Sequence, residues 1–265
     1  MTDLIPIEII KEQLHNRYKT SGFAENLFRN DWAILTRLGV HPALAKIPDL
    51  ERVILRAKTQ STRANYASRL KSMFKALNKM RLIDNDPTAD LPPIKRTRGV
   101  PKPITPAEFS RLLEGASEPF RAWFILGGCA GLRAMEVANL RGADLEEGVD
   151  GAMLRVLGKG GTDLLIPVAP IVAETIRSHK TLDRLWEITP NKLSSKAADE
   201  MRRILGANAK HFHSLRHYFA TSMLEKSGGD LMAVKELMRH TTVATTQIYT
   251  QLAQGRTRSL VNLIQ

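Results

Sequence analysis

Two short segments of the sequence place charged side chains where they could bind a phosphate group. Arg133 and Glu136 stand three residues apart in a Gly-Leu-Arg-Ala-Met-Glu segment, a spacing at which a helical carboxylate can orient a guanidinium. Lys159 has a glycine on each side, which lets the backbone approach a ligand closely. Considered alone, the first pair is more often a surface ion pair, and the lysine is more often a solvated turn residue.

Two further segments bring histidines, an arginine and a tyrosine. His213 and Arg216 share a helical face and precede His217, while Tyr249 follows His240 by nine residues. A metal site is disfavoured here because Arg216 is a permanent cation inside the histidine cluster and no carboxylate lies nearby. A phenol is a weak nucleophile unless basic neighbours favour its phenolate, so an isolated tyrosine near a C-terminus is usually a packed or surface aromatic.

The combination of these side chains indicates a single chemistry. Arginines can hold the non-bridging oxygens of a phosphodiester and stabilise the charge of its pentavalent transition state. A histidine or lysine can exchange protons, and a hydroxyl group can attack the phosphorus. We therefore expect attack on a phosphodiester without a metal ion or any other cofactor.

The composition agrees with a nucleic-acid partner. The chain has 265 residues and carries 39 Lys and Arg against 27 Asp and Glu, for a net charge of +12. Its 43% hydrophobic content is that of a globular protein. The single cysteine excludes an intramolecular disulfide and any multi-cysteine zinc site. Neither a secretory signal nor a membrane-length apolar stretch is visible, so we expect a cytoplasmic protein without a membrane partner.

The positive charge is unevenly distributed along the chain. Residues 1–104 contain 19 basic and 10 acidic residues, whereas residues 105–265 contain 20 and 17. A proline-rich, basic linker over 95–103 is expected to separate a helical domain at 1–94 from a second domain at 104–265. We expect the following basic residues of the first domain and linker to face the phosphates of a nucleic acid, which the family resemblance described below implies is DNA: Arg63, Arg69, Lys71, Lys95, Arg96 and Arg98.

The elements that must position these residues are mostly helices. Ser61 is expected to cap a helix that runs to about Met80 with an apolar stripe at three- and four-residue steps. Thr105 followed by proline begins further helices up to about Leu140. Met153–Leu157 and Leu164–Val168 predict a hairpin around Lys159, and helices return after Ile171. The predicted fold is mainly α with a small β element.

In order and spacing, the motifs resemble the catalytic domain of the tyrosine recombinases, the phage integrase family. The resemblance implies a helical, SAM-like core-binding domain followed by the catalytic domain. It also implies that the chain is the simple two-domain type without an arm-binding domain. The catalytic residues that it implies are Arg133, Lys159, His213, Arg216, His240 and Tyr249, with Glu136 and His217 in support.

The same resemblance implies a role for each residue. Tyr249 attacks the scissile phosphate, forming a 3′-phosphotyrosyl link and freeing a 5′-hydroxyl, while the two arginines hold the phosphate. Lys159 protonates the leaving oxygen, His213 assists proton transfer, and His240 hydrogen-bonds the phosphate. The implied partners are double-stranded DNA, further copies of the chain (monomer or dimer on half-sites, tetramer in synapsis) and a directionality factor.

Two departures and several alternatives accompany this prediction. Arg239 stands where the family has glycine before His240; it is either a third phosphate contact or a change in how the tyrosine segment is delivered. Asp163 lies where a basic residue is common. Integration or excision of a phage or mobile element, in the bacterial nucleoid, is the expected role. The alternatives are a chromosome or plasmid resolvase, a type IB topoisomerase-like enzyme, and a non-catalytic DNA-binding protein.

Overall fold

The hydrophobic residues of the chain collect around separate cores in two units. The structure, a computed structural model, describes residues 4–21, 25–95, 104–157, 163–206 and 210–239. The chain divides into Met1–Gly99 and Val100–Gln265, here called unit 1 and unit 2. The division falls inside the linker expected over 95–103, of which residues 96–103 lie outside the described part. The assignment of a DNA-binding role to one unit and a catalytic role to the other stays a prediction.

Unit 1 is built around one long helix. Its helices are α1 (Ile7–Thr20), α2 (Glu25–Thr36), α3 (Ile47–Leu55) and α4 (Gln60–Lys79), with a 3₁₀ turn at Pro42–Leu44. Helix α4 packs against the other three. Leu70, Met73 and Phe74 lie fully buried along it, so the apolar stripe predicted for this segment does form the core. The helix begins one residue after Thr59, whose hydroxyl accepts a hydrogen bond from the amide of Thr62 at 3.1 Å.

The cap of α4 is therefore Thr59 and not Ser61, the residue that the sequence favoured. Serine and threonine are both good capping residues, and both stand near the first apolar position. What decides between them is the extended backbone of Thr59 (φ −110°, ψ 149°), which leaves Ser61 inside the first turn.

Three of the basic residues expected to face DNA have partners within unit 1. The Arg63 Nε donates to the carbonyl of Ala57 at 2.9 Å, and the Lys71 Nζ donates to the carbonyl of Leu91 at 2.7 Å. Arg69 forms an ion pair with the buried Asp31. The sequence did not predict these contacts within unit 1. The three side chains connect α4 to its neighbours, and their contact with DNA stays a prediction.

Tyr18 has a structural partner deep in unit 1. Its hydroxyl donates to Asp31 Oδ2 at 2.6 Å, and the Asp31 side chain is only 2% exposed. Burial, followed by the hydrogen bond to this carboxylate, raises the pKa of Tyr18 well above its usual range. The same oxygen also accepts from Arg69 Nη1 at 3.4 Å. Tyr18 thus supplies the shorter of these two hydrogen bonds to a buried carboxylate.

Unit 2 combines helices with one small sheet. Its described helices are α5 (Pro106–Gly115), α6 (Phe120–Cys129), α7 (Ala134–Asn139), α8 (Pro170–Arg177), α9 (Pro190–Leu205), α10 (His213–Lys226) and α11 (Leu231–Leu237). Its strands are β1 (Leu145–Gly148), β2 (Gly151–Leu157) and β3 (Asp163–Pro167), after a 3₁₀ turn at Gly142–Asp144. The cap predicted for α5 is confirmed, because the Thr105 hydroxyl accepts from the amide of Glu108 while the Glu108 carboxylate accepts from the amide of Thr105. Together with unit 1, this confirms the mainly helical fold with a small β element.

The sheet has one strand more than the sequence predicted. Strands β2 and β3 pair antiparallel, with Leu154 opposite Ile166, as expected for the hairpin. Strand β1 pairs antiparallel with the other edge of β2, placing Leu145 opposite Leu154. Two of the four residues of β1 are glutamates and the strand is half-exposed, so it lacks the alternation that marks a strand. The hairpin tip, residues 158–162, lies outside the described residues.

Helix α6 is the centre of unit 2. It packs against α5, α7, α8, α9 and α10, and the residues from Ala122 to Gly128 are buried. A Cβ at Gly128 would collide with the ring of Phe109, so the close approach of α5 requires glycine there. Among the described helices, none is long and apolar enough to cross a membrane.

The buried hydrogen bond of Tyr18 generates a stability prediction. We expect Tyr18→Phe to lower the free energy of unfolding by about 1–3 kcal/mol, because a buried carboxylate loses a close hydroxyl donor. Urea denaturation of the full chain measures this change. Tyr66→Phe is the matched control, since the Tyr66 hydroxyl accepts from Arg37 at an exposed position and its loss should change the free energy by less than about 1 kcal/mol. Equal effects of the two substitutions would contradict this role for Tyr18.

Candidate active site

The predicted phosphate-binding region begins at the turn between α6 and α7. Gly131 has a φ of +62°, and a Cβ on it would collide with the ring of Phe219 on α10. Only glycine satisfies both conditions without strain. The turn delivers Arg133 to the N-terminus of α7, where the residue has an extended backbone and acts as the cap. The carbonyl of Gly131 is left facing α10 and the end of α11.

Arg133 is held by Glu136 in the way that their spacing predicts. The Arg133 Nη1 donates to Glu136 Oε1 at 2.7 Å, and the Arg133 amide donates to Glu136 Oε2 at 2.7 Å. The Glu136 side chain is 4% exposed, whereas that of Arg133 is 38% exposed. The carboxylate therefore fixes one edge of a guanidinium whose remainder is open to a ligand.

Arg216 lies beneath this turn on α10 and is 1% exposed. Its guanidinium donates to the carbonyl of Gly131 and to the carbonyl of Met238 at the end of α11. These bonds join the turn before α7, helix α10 and the end of α11. The sequence predicted Arg216 as a phosphate contact; that role stays a prediction, and the structure adds that the side chain connects three segments of the site.

Arg239 stands where the family has glycine, and its backbone adopts a conformation that suits glycine. Its φ is +52°, in the left-handed region that side chains disfavour. The side chain is 3% exposed. Its Nη2 donates to Glu136 Oε2 at 2.8 Å and to the Gly131 carbonyl at 3.2 Å, while Nη1 donates to the Leu237 carbonyl at 3.1 Å. The guanidinium is therefore buried and donates to acceptors inside unit 2; the contact of Arg239 with a DNA phosphate stays a prediction.

Two histidines stand next to this group of cations. The rings of His213 and His217 are 4.6 Å apart in an edge-to-face arrangement. Partial burial, followed by the charges of Arg216 and Arg133, lowers the pKa of His213. Burial, His213 and Arg216 lower the pKa of His217 to about 4. Both imidazoles are thus neutral at pH 7, the form in which a histidine can accept a proton.

The structure places half of the predicted catalytic set. Arg133, Arg216 and the supporting residue Glu136 meet at the turn after α6. His213 lies close enough to both arginines for their charges to lower its pKa, and the ring of the supporting residue His217 contacts that of His213. Three predicted catalytic residues, Lys159, His240 and Tyr249, lie outside the described residues, as do the predicted DNA contacts Arg96 and Arg98. Lys95 is described and exposed. In the described ranges, no three His, Cys, Asp or Glu side chains group as metal ligands would.

Sequence patterns missed the contacts that bind the site together. The Glu136–Arg239 pair joins residues 103 positions apart, and no local periodicity marks such a pair. The carbonyls of Gly131 and Met238 are main-chain acceptors, which side-chain motifs do not reveal. The one available signal was the arginine at a position where glycine is usual.

The lowered pKa of His217 predicts acid sensitivity of the folded state. Between its ordinary pKa of 6.5 and its folded value of about 4, the unfolded chain binds a proton that the folded chain does not. Stability therefore falls as the pH decreases through this window. We expect a loss of up to about 2 kcal/mol by pH 5, reduced by the partial exposure of the ring. Urea denaturation at pH 7 and pH 5 measures it.

His217→Gln should remove most of the acid-induced loss that originates at this ring, because glutamine does not titrate. His211→Gln is the control, since His211 is exposed and its replacement should leave the loss unchanged. If His217→Gln and the unchanged protein lose the same free energy between pH 7 and pH 5, the ring is not the source.

Comparisons with known proteins identify the family of the chain. The phage integrase family matches residues 103–256. The tyrosine recombinase XerC of Pseudomonas fluorescens (strain Pf0-1) is 33% identical over 273 residues, covering 91% of this chain and 89% of that protein. The tyrosine recombinase XerD of Halalkalibacterium halodurans is 30% identical over 228 residues, covering 77% and 75%.

The fold is also found among solved structures. A lambda integrase dimer bound to a COC′ core site superimposes with a TM-score of 0.73 at 14% identity, covering 92% of this chain and 77% of that one. At this identity the likeness concerns the fold alone. The family match spans more than half of the chain, and the match to XerC spans nine-tenths of it. The chain belongs to the phage integrase family, the tyrosine recombinases.

Proposed function

We propose that this chain is a site-specific DNA recombinase that cleaves and rejoins double-stranded DNA through a 3′-phosphotyrosyl intermediate on Tyr249. The observation that carries the proposal is the meeting of Arg133 and Arg216 at the turn at Gly131, with His213 in electrostatic range of both. These residues come from two segments about 80 positions apart in the chain, and their types suit a phosphodiester and its in-line displacement. Membership of the tyrosine recombinase family supports the same chemistry.

Arg133 binds the phosphate, and the positive charge of the buried Arg216 attracts it. One edge of the Arg133 guanidinium is held by Glu136, and its remaining donors can bind a non-bridging oxygen. Arg216 supplies a second positive charge immediately beneath the turn. Because that charge is buried, water screens it less than it would screen a surface cation. The site is therefore electropositive before DNA arrives, and a transition state of increased negative charge is stabilised further.

Proton transfers complete the cleavage step. The Tyr249 oxygen forms a bond to phosphorus as the bond from phosphorus to the 5′-oxygen breaks. The neutral His213 assists removal of the tyrosine proton, and Lys159 gives a proton to the leaving 5′-oxygen, while His240 hydrogen-bonds the phosphate. The phosphotyrosyl bond retains the energy of the phosphodiester, so the 5′-hydroxyl of a partner duplex can reverse the reaction without ATP or a metal ion.

Unit 1 and the linker bind the DNA duplex through their positive charges. Lys95, Arg96 and Arg98 form a dense basic run, and α4 adds further charge. Arg63 and Lys71 donate to carbonyls, so they keep their full charge, whereas Asp31 offsets that of Arg69. The electric field of these positive charges attracts DNA phosphates whatever the nucleotide sequence, and the binding weakens as the salt concentration rises.

The assembly on DNA follows by analogy. Lambda integrase, which shares the fold, has been solved as a dimer bound to a core site and as a tetramer bound to a Holliday junction. We propose that this chain likewise binds half-sites as a monomer or dimer and recombines them as a tetramer, in the cytoplasm on the bacterial nucleoid. We propose a directionality factor as a partner only for a role in integration or excision.

Two biological roles are candidates. The first is integration or excision of a phage or mobile element. The second is resolution of chromosomes or plasmids, which the sequence comparison favours because the relatives at 30% identity or above are recombinases named XerC and XerD. DNA selected from genomic fragments by binding separates the two, because integration predicts hybrid sites flanking an element and resolution predicts one site on the replicon itself.

Loss of the tyrosine hydroxyl tests the chemistry. On nicked DNA that carries a selected site, the unchanged protein should form a covalent adduct that survives detergent, and Tyr249→Phe should form none, because the attacking oxygen is gone. Tyr218→Phe is the matched control: the Tyr218 ring stacks on Phe109 at 4.5 Å, a contact that phenylalanine retains, so adduct formation should persist.

Absence of any adduct with the unchanged protein would overturn the proposal in favour of a non-catalytic DNA-binding protein. Relaxation of supercoiled DNA that lacks the selected site would instead favour the topoisomerase alternative.

Neutralising the linker tests the grip. In the triple variant Lys95→Gln, Arg96→Gln, Arg98→Gln, the slope of log affinity against log salt should become shallower by about 0.9 for each phosphate that the protein no longer neutralises. The control removes the same number of charges from exposed positions of α9, with Lys192→Gln, Lys196→Gln and Arg202→Gln. Titrations of labelled duplex at several salt concentrations measure both slopes. Equal slopes in the two variants would show that net charge, and not the linker, governs binding.

A further inference from the structure

Arg239 occupies a position that disfavours arginine on two grounds. Its backbone lies in the left-handed region at φ +52°, where glycine is the residue without strain. Its long cationic side chain is buried, and burial lowers the pKa of its guanidinium while the carboxylate of Glu136 opposes that shift. The Nε has no hydrogen-bond partner among the described residues. The contacts that the other two nitrogens make must therefore account for this residue.

Those contacts complete the coordination of the Glu136 carboxylate. Glu136 Oε1 accepts from Arg133 Nη1 at 2.7 Å, and Oε2 accepts from Arg239 Nη2 at 2.8 Å. Oε2 also accepts from the Arg133 amide at 2.7 Å, so Arg133 by itself contacts both oxygens, and Arg239 adds a second charged hydrogen bond at Oε2. The group formed by the Glu136 carboxylate and the guanidiniums of Arg133 and Arg239 therefore has one net positive charge. Without Arg239, the single charge of Glu136 would neutralise Arg133 instead.

Arg239 also connects the two arginines that are expected to bind phosphate. Its Nη2 lies 3.2 Å from the Gly131 carbonyl, the same oxygen that accepts from Arg216. Arg133 is therefore linked to Arg239 through a carboxylate, and Arg239 is linked to Arg216 through a carbonyl. Both of these acceptors lie in the turn and first helical residues that carry Arg133.

We propose that Arg239 is a positioning residue for DNA cleavage. By placing a second guanidinium on Glu136, at the oxygen that also accepts from the Arg133 amide, it holds the carboxylate that orients the Arg133 guanidinium and preserves the positive charge of Arg133 for the scissile phosphate. This inference rests on the proposed function, in which Arg133 binds that phosphate. It assigns Arg239 a role at the site that the sequence did not suggest.

Two substitutions of Arg239 test the proposal. Both remove the guanidinium, but they differ in how well the new residue fits the left-handed backbone. R239M removes the guanidinium and keeps a side chain in the left-handed conformation, whereas R239G removes the guanidinium and relieves that conformation. We expect both to form the covalent adduct on nicked DNA roughly 10- to 100-fold more slowly in single turnovers, because a small misorientation of a binding group is costly. Their affinity for the same DNA should remain within about 2-fold of the unchanged protein, since uniform binding is retained.

Thermal unfolding of the two variants separates positioning from folding. R239G should melt at a higher temperature than R239M, yet the two cleavage rates should agree. If the rates follow the melting temperatures, with R239G close to the unchanged protein, Arg239 serves folding and the proposal is overturned.

A double-mutant cycle with E136Q tests the route of the effect. E136Q removes the carboxylate charge through which Arg239 acts, so R239M should slow cleavage by less than about 2-fold in that background. Independent, multiplying effects would overturn the proposal. An adduct from the unchanged protein and an equally fast R239M would overturn this inference alone. No adduct from the unchanged protein would overturn the proposed function and this inference with it.

Discussion

The buried carboxylate of Glu136 is the interaction on which the arrangement of the site depends. A carboxylate removed from water is strongly unfavourable unless cations and hydrogen-bond donors surround it. Here the donors are the guanidinium and amide of Arg133 together with the Arg239 guanidinium. Satisfying one charge therefore brings together the start of α7 and the end of α11. His240 follows directly in the chain from this anchored end.

The Gly131 carbonyl plays the complementary part for the cations. It accepts from Arg216 and from Arg239, and its orientation depends on a turn that only glycine adopts without strain. Three guanidiniums consequently surround one carboxylate and a few carbonyls, leaving a positive excess at the site. The same excess helps to keep His213 and His217 neutral. A phosphate diester would supply the negative charge that this group lacks.

Charge counted along a sequence is not the same quantity as charge presented to a ligand. Unit 1 contains most of the excess, yet Arg63, Arg69 and Lys71 each contribute a hydrogen bond or ion pair within the unit. In unit 2, Arg239 is buried altogether. Helical periodicity sets the side of the helix on which a basic residue lies. Whether its charged group reaches water depends on the neighbouring segments that pack over it.

The sequence by itself determined most of the features that depend on neighbours a few positions away, although it placed the cap of α4 at Ser61 and not at Thr59. The apolar stripe of α4, the cap at Thr105, the pairing of β2 with β3 and the Arg133–Glu136 contact all follow from local periodicity or spacing, and the order of motifs was enough to indicate the family. The third strand, the burial of Arg216 and the Glu136–Arg239 pair required the tertiary structure. The strand β1 lies next to β2 in the chain but lacks the alternation that marks a strand. The contacts of Arg216 and Arg239 join segments far apart in the chain, and their energies depend on burial and on partners that no local pattern specifies.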